Sequence, residues 1–79
     1  MIKSRIKWQC RRGMRELDDL LMGYVEQRYD DAGDDEKAAF EALLALPDPD
    51  LVAYLLQKQQ PDLAPIADVI RHVLRLNSA

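Results

Sequence analysis

Residues 14–29 have the sequence MRELDDLLMGYVEQRY and predict an amphipathic helix. Steps of three and four residues place the members of a stripe on one helical face. The positions on this face are Met14, Leu17, Leu21, Tyr24, Val25 and Arg28, with Leu20 beside them. Acidic residues follow the start of the stretch, where negative charge suits the positive end of the helix dipole. This stretch predicts the second helix of the chain.

A shorter helix is predicted upstream, over about residues 4–12. Its apolar face recurs every four residues and consists of Ile2, Ile6, Cys10 and Met14, with Trp8 off the stripe. Arg11 and Arg12 are expected in its last turn, where the helix dipole favours cations. Gly13 follows, and glycine is common just past a helix end because it adopts positive φ without steric strain.

Three further helices are predicted downstream, over about residues 34–45, 49–58 and 62–76. Gly33 or Asp34 is the expected N-cap of the first helix. Asp48 is the expected N-cap of the second, with Pro49 at its first helical position, and Pro65 fits only the first turn of the third. Their apolar faces comprise Ala39, Phe40, Leu43 and Leu44; Leu51, Val52, Leu55 and Leu56; and Ile66, Val69, Ile70, Val73 and Leu74. With no strand signal, the chain is predicted to be all-α, a compact five-helix bundle forming a single domain over residues 1–79.

The composition narrows the class of protein. Seventy-nine residues suffice for one domain but leave little room for a closed catalytic pocket. Cys10 is the single cysteine and His72 the single histidine, so the sequence offers no internal disulfide and implies no metal site. We expect Cys10 to be a buried thiol and His72 a surface or boundary residue. No apolar run resembles a signal peptide or a membrane span, so a cytoplasmic location is expected.

Charge is distributed unevenly along the chain. Residues 1–15 carry six basic and no acidic side chains, although the whole chain has a net charge of −3. A basic segment on an acidic body permits nucleic-acid binding, a protein-binding surface, or pairing of the segment with the body. The acidity of the body disfavours nucleic acid, because it repels phosphate.

The segment from Arg11 to Asp18, RRGMRELD, is the one place that periodicity does not explain. It contains an Arg-Gly-x-x-Glu sequence formed by Arg12, Gly13 and Glu16. One interpretation is a helix end followed by a solvated, charged first turn. The other is a glycine-shaped corner that presents guanidinium groups, which suit bidentate recognition of carboxylates and anchoring of interfaces.

These residues resemble the signature of a known family, the succinate dehydrogenase FAD assembly factors (the SdhE family), bacterial relatives of the mitochondrial flavinylation factor. The similarity begins with Trp8-x-Cys10 and the segment after it, and covers roughly residues 6–56. Its later parts are Tyr29-Asp30, Asp35-Glu36-Lys37, Phe40, Leu43-Leu44, Asp48-Pro49-Asp50-Leu51 and Tyr54-Leu55. Two departures lie outside the signature: Gly33 where a serine N-cap is expected, and Tyr54 where tryptophan is common.

The resemblance implies a five-helix fold and a chaperone that is not an enzyme. Such a factor binds the flavoprotein subunit of succinate dehydrogenase, and often that of fumarate reductase, and promotes covalent attachment of FAD to a client histidine. No tightly bound cofactor is expected, and we expect a monomer. The short apolar stretches and the acidic body lead us to expect neither membrane insertion nor a nucleic-acid partner. The predicted partner-binding residues are Arg12, Gly13 and Glu16, followed by Arg11, Arg15, Asp18, Trp8, Tyr29 and Asp30.

Three alternatives remain open at the level of sequence. The chain could be a general protein-interaction module, such as the antitoxin half of a toxin–antitoxin pair. It could be a small nucleic-acid binder that uses the basic segment. It could also be an autonomous flavin enzyme, which the lack of a glycine-rich phosphate cradle disfavours.

Overall fold

The helices form where the apolar periodicity predicts them. The computed structural model describes residues 2–57 and 59–76. The α-helices are α1 (Ile2–Gln9), α2 (Arg15–Gln27), α3 (Asp34–Leu44), α4 (Asp48–Leu51) and α5 (Ala64–Leu76). A 3-10 turn, Tyr29–Asp31, follows α2, and α4 continues as a π-helical turn, Val52–Leu56. No strand occurs within these residues, so the predicted all-α, five-helix domain is confirmed.

The apolar faces of the helices meet in one core. Helix α5 packs against α2 and α3, α1 packs against α2, and the π-helical turn contacts α2 and α5. The Tyr24 ring stacks on Phe40, with ring centroids 4.3 Å apart. The buried side chains are Ile6, Cys10, Leu17, Leu21, Tyr24, Val25, Tyr29, Ala39, Phe40, Leu43, Leu44, Leu51, Leu55, Ile66, Val69, Ile70 and Val73.

Most of the predicted core is confirmed, and the exceptions have local reasons. Met14 is 38% exposed, so its predicted burial was wrong: it is the N-cap of α2 and has an extended backbone, which takes it off the helical face. Val52, Leu56 and Leu74 are only half-buried at the edge of the core. The predicted place of Ile2 on the apolar stripe lies outside the side chains that the structure describes.

Helix α1 ends earlier than its apolar spacing predicts. The backbone N–H groups of Cys10 and Arg11 still bond to carbonyls of α1, but the helix itself stops at Gln9. Arg11 and Arg12 are therefore not in its last turn, and Gly13 lies four positions beyond its last residue. The expectation of positive φ at Gly13 is nevertheless confirmed, with φ of +83°.

The remaining boundaries differ by a few residues from the predicted ones. Gly33 is the N-cap of α3, whereas Pro47 rather than Asp48 caps α4. Helix α5 begins at Ala64, which places Pro65 in its first turn as predicted. The predicted end of the fourth helix at residue 58 lies outside the described residues.

Candidate functional site: the corner between helices α1 and α2

The chain turns at a corner, residues 11–14, between α1 and α2, and the Arg-Gly-x-x-Glu sequence runs from this corner into the first turn of α2. Gly13 lies at this corner with its backbone in the left-handed region, which residues other than glycine adopt only with strain. A Cβ atom at Gly13 would meet no atom within 4 Å. The backbone conformation therefore favours glycine here, and the space outside it is open.

Asp18 fixes the corner from the side of α2. Its Oδ1 atom accepts a hydrogen bond of 2.7 Å from the backbone N–H of Arg12. Met14, the N-cap of α2, makes no side-chain cap of its own. The carboxylate in the first turn therefore folds back and holds the chain that enters the helix, which also places negative charge near the positive end of the helix dipole.

The side chain of Arg12 points into the molecule, where it meets the end of α3. Its Nη2 atom donates to the carbonyl oxygen of Leu44, the last residue of α3. Its Nη1 atom lies 3.5 Å from the carbonyl oxygen of Leu46 and 3.5 Å from Oδ1 of Asp48. Only 17% of the side chain is exposed. Arg12 thus joins the corner to the junction between α3 and α4.

Several residues in the corner and in the helical turns beside it face solvent. Glu16 and Arg15 are exposed in the first turn of α2, and Arg11 is exposed just before Gly13. Trp8 has 72% of its surface exposed in the last turn of α1, which is unusual for the largest apolar side chain. We call Trp8, Arg11, Gly13, Met14, Arg15 and Glu16 the outer face of the corner.

Cys10 lies beneath the corner and is fully buried, as predicted. Burial raises the pKa of its thiol to about 12, because the thiolate would lose its hydration; Arg12 opposes this shift and Asp18 adds to it. A thiol with this pKa is a poor nucleophile at neutral pH, so the group belongs to the core.

Tyr29 and Asp30 do not join the corner. They belong to the 3-10 turn after α2, and α2 has thirteen residues, so its two ends are roughly 20 Å apart. The ring of Tyr29 is buried, 6.0 Å from the Phe40 ring. It borders an open groove of about 720 Å³, which Arg5 and Lys37 also line. For both residues a role in partner binding stays a prediction.

A second polar cluster, centred on Glu36, joins α2, α3 and α5. Its carboxylate accepts bonds of 2.6 and 3.0 Å from Arg28 and one of 2.5 Å from the Tyr24 hydroxyl. Nε2 of His72, half-buried on α5, lies 3.6 Å from Glu36 Oε1. The bonds from Arg28 hold the pKa of Glu36 down, at about 2, although partial burial opposes this. The sequence pattern did not predict this cluster. The one feature of the sequence that could have indicated it is Arg28, a charged residue on an otherwise apolar stripe.

The described residues hold neither a metal cluster nor a membrane-spanning helix. Within residues 2–57 and 59–76, no group of three or more histidine, cysteine or acidic side chains is arranged to hold a metal ion. In the same part of the chain, every helix is too short or too polar to span a bilayer.

Comparison with known proteins connects the corner to a family. The family model described as "Flavinator of succinate dehydrogenase" matches residues 4–77, which include the whole corner. The chain belongs to this family. The resemblance drawn from the Arg11–Asp18 segment is therefore confirmed.

Individual relatives support the same assignment. The chain is 42% identical to the FAD assembly factor SdhE of Yersinia pseudotuberculosis over 77 residues, which are 98% of this chain and 88% of the relative. It is 42% identical to the FAD assembly factor SdhE of Idiomarina loihiensis, over 91% of this chain and 80% of the relative. It is 51% identical to the FAD assembly factor SdhE of Pectobacterium atrosepticum, over 75% of this chain and 67% of the relative.

Proposed function

We propose that this protein binds the flavoprotein subunit of succinate dehydrogenase and promotes the covalent attachment of FAD to it. It acts as a chaperone and not as an enzyme, in the cytoplasm and as a monomer, and it binds no FAD tightly itself. The flavoprotein subunit of fumarate reductase is a second client. Membership of the flavinator family supports the reaction, and the outer face of the corner is the proposed contact surface.

The observation that carries this proposal is the combination of a backbone held by hydrogen bonds and an open exterior at Gly13. The corner is held from inside by Asp18 and Arg12, while a Cβ at Gly13 would project into empty space. A client can therefore approach the backbone at this point without displacing any part of the factor. Glycine is suited to such close approach because it lacks a side chain.

The residues around Gly13 have the chemistry of an interface. Tryptophan and arginine are the residue types that most often dominate binding energy, and here Trp8, Arg11 and Arg15 are exposed together with Glu16. Arginine forms paired hydrogen bonds with carboxylates, so an acidic edge of the client is the expected counterpart of Arg11 and Arg15.

The chemistry itself belongs to the flavin and the client. A factor that holds the client so that the isoalloxazine ring and the client histidine meet would accelerate bond formation by orientation. This role requires a docking surface on the factor and no catalytic group.

The test is the amount of covalent flavin on the client. The flavoprotein subunit is produced in a host that lacks its own assembly factor, with and without this protein, and flavin fluorescence is read in its band on a denaturing gel. We expect fluorescence with the wild-type protein only. Equal fluorescence in both samples would overturn the proposed function.

Matched pairs of variants test the surface. Gly13→Arg and Glu16→Ala should lower covalent flavin at least about tenfold, because central interface residues often contribute about 2 kcal/mol or more. The controls are Gly33→Arg, at an exposed glycine with equally open surroundings, and Glu26→Ala, at an exposed position of the same helix as Glu16. If the controls lose covalent flavin to the same extent, or if Gly13→Arg and Glu16→Ala retain it, the contact surface lies elsewhere.

A further inference from the structure

Arg12 is the member of the Arg-Gly-x-x-Glu sequence whose side chain does not face outward. Its guanidinium group is largely buried and is directed at the junction of α3 and α4, 32 residues away in sequence. A side chain in this position is not available for bidentate recognition of a client carboxylate. Its presence in the sequence therefore needs a different explanation from that of Glu16.

The end of α3 is a site that suits a guanidinium group. The last carbonyl groups of a helix have no partner within the helix, and the helix dipole makes this end negative. Arg12 meets the carbonyl of Leu44 there, and its Nη1 also approaches Leu46 and Asp48. The planar, forked guanidinium can serve several acceptors at once, which the single ammonium group of lysine cannot do in the same geometry.

The same residue is also fixed through its backbone. Its N–H group donates to Asp18 in α2, and Gly13, with positive φ, is the next residue. Residue 12 is thus held at two points, by its side chain to the α3–α4 junction and by its amide to α2. Because Gly13 follows directly, the position of the outer face relative to α3 depends on these two contacts.

We propose that Arg12 is a positioning residue. It does not touch the client; it anchors the corner to the C-terminal end of α3 and so holds the outer face in the geometry that the client binds. This inference rests on the proposed function for its effect on the client. Its structural part, the anchoring of the corner, applies to the free protein.

The first arm of the test uses the free protein and needs no client. Amide hydrogen exchange is measured at residue 12, whose N–H donates to Asp18, and is expressed relative to the intrinsic rate of each sequence, in the wild type, Arg12→Lys, Arg12→Ala and Arg11→Ala. We expect exchange about tenfold faster or more in Arg12→Ala, an intermediate rate in Arg12→Lys and no change in Arg11→Ala, because a lost bond to a charged donor permits local opening. Unchanged exchange in Arg12→Ala and Arg12→Lys would overturn the proposal.

The second arm measures the affinity for the flavoprotein subunit and the yield of covalent flavin with the same variants. Affinity should fall in the order wild type, Arg12→Lys, Arg12→Ala, parallel to the exchange rates. Arg11→Ala should weaken binding without a change in exchange. Loss of binding in the Arg12 variants with normal exchange would mean that Arg12 contacts the client directly, and fast exchange with normal binding would mean that the anchor does not matter to the client. Both results would overturn the proposal.

The two arms separate this inference from the proposed function. If the wild-type protein does not support flavin attachment, the second arm reports the failure of the proposed function, and the first arm still decides whether Arg12 anchors the corner. If Arg12→Ala does not fold, the comparison of wild type with Arg12→Lys decides both arms, since lysine retains the positive charge and most of the side-chain length.

Discussion

Replacement of Gly13 by alanine or asparagine separates the two reasons for a glycine at the corner. With φ of +83°, residue 13 lies in the left-handed region, where a Cβ costs about 1–2 kcal/mol. Alanine recovers about 0.4–1 kcal/mol because it restricts the unfolded chain. A Cβ atom at residue 13 would have no neighbouring atom within 4 Å, so no steric clash adds to this cost. The net destabilisation expected for Gly13→Ala is about 1 kcal/mol.

The assay is thermal and urea unfolding of purified variants, followed by circular dichroism. A loss of about 1 kcal/mol corresponds to a decrease in Tm of about 4–8 °C for a domain of this size. Gly13→Asn should be less destabilised than Gly13→Ala, because asparagine tolerates the left-handed conformation. Binding of the flavoprotein subunit should nevertheless be weaker for both variants, since each adds a side chain to the proposed contact surface.

Two results would refute this reasoning. If Gly13→Ala lowered the free energy of unfolding by well above about 3 kcal/mol, the alanine would have to clash with neighbouring atoms. The structure has no atom within 4 Å of that Cβ position. Equal destabilisation by alanine and asparagine would show that positive φ is not the source of the cost. If instead both variants bind the client as well as the wild type does, the backbone at Gly13 is not a contact.

Three further predictions concern other parts of the molecule. The pKa of Glu36 is lowered from 4.5 to about 2, so its contribution, about 1–2 kcal/mol, is present above pH 4.5 and is lost as the pH falls toward 2. Between pH 4.5 and 2, the free energy of unfolding should fall less for Glu36→Gln than for the wild type. Asp35→Asn, at the exposed neighbouring position, is the control. Cys10, with a pKa of about 12, should have a thiolate fraction about a thousandfold below that of a thiol with pKa 9. Its alkylation by iodoacetamide, followed by mass spectrometry, should therefore be slow in the native protein and fast in urea; rapid native alkylation would contradict its burial. Gly33→Ser should raise stability by about 0.5–1 kcal/mol in urea unfolding. Most of this gain comes from restricting the unfolded chain, and a few tenths come from a side-chain cap on α3, whose present N-cap makes no side-chain bond; a decrease would argue against residue 33 as the cap.

The helices and most of the core were predictable because the information for them is local. Which face of a helix is apolar follows from spacing alone, and Leu17, Leu21, Tyr24 and Val25 are all buried as their spacing indicates. The exceptions lie at the ends of helices. Met14 continues the pattern in sequence, but its extended backbone at the N-cap removes it from the face.

The candidate site was predictable only in part. The segment from Arg11 to Asp18 stood out because its glycine and its charges do not serve an apolar face, and positive φ at Gly13 followed from the properties of glycine. The direction of each polar side chain did not follow. Asp18 and Arg12 turn inward and Glu16 outward, although all three are charged residues of one short segment.

Contacts between distant segments explain this difference. Arg12 reaches a carbonyl 32 residues away, and Arg28 lies 3.5 Å from His72, 44 residues away. Periodicity describes where a side chain lies on its own helix, whereas its hydrogen-bond partner depends on the path of the whole chain. Helix content, the apolar faces and the glycine corner are thus properties of local sequence. The anchor of Arg12 and the cluster around Glu36 arise only when the helices assemble, with α5 packed against both α2 and α3, because a polar group taken out of water must find its partner on whichever element covers it.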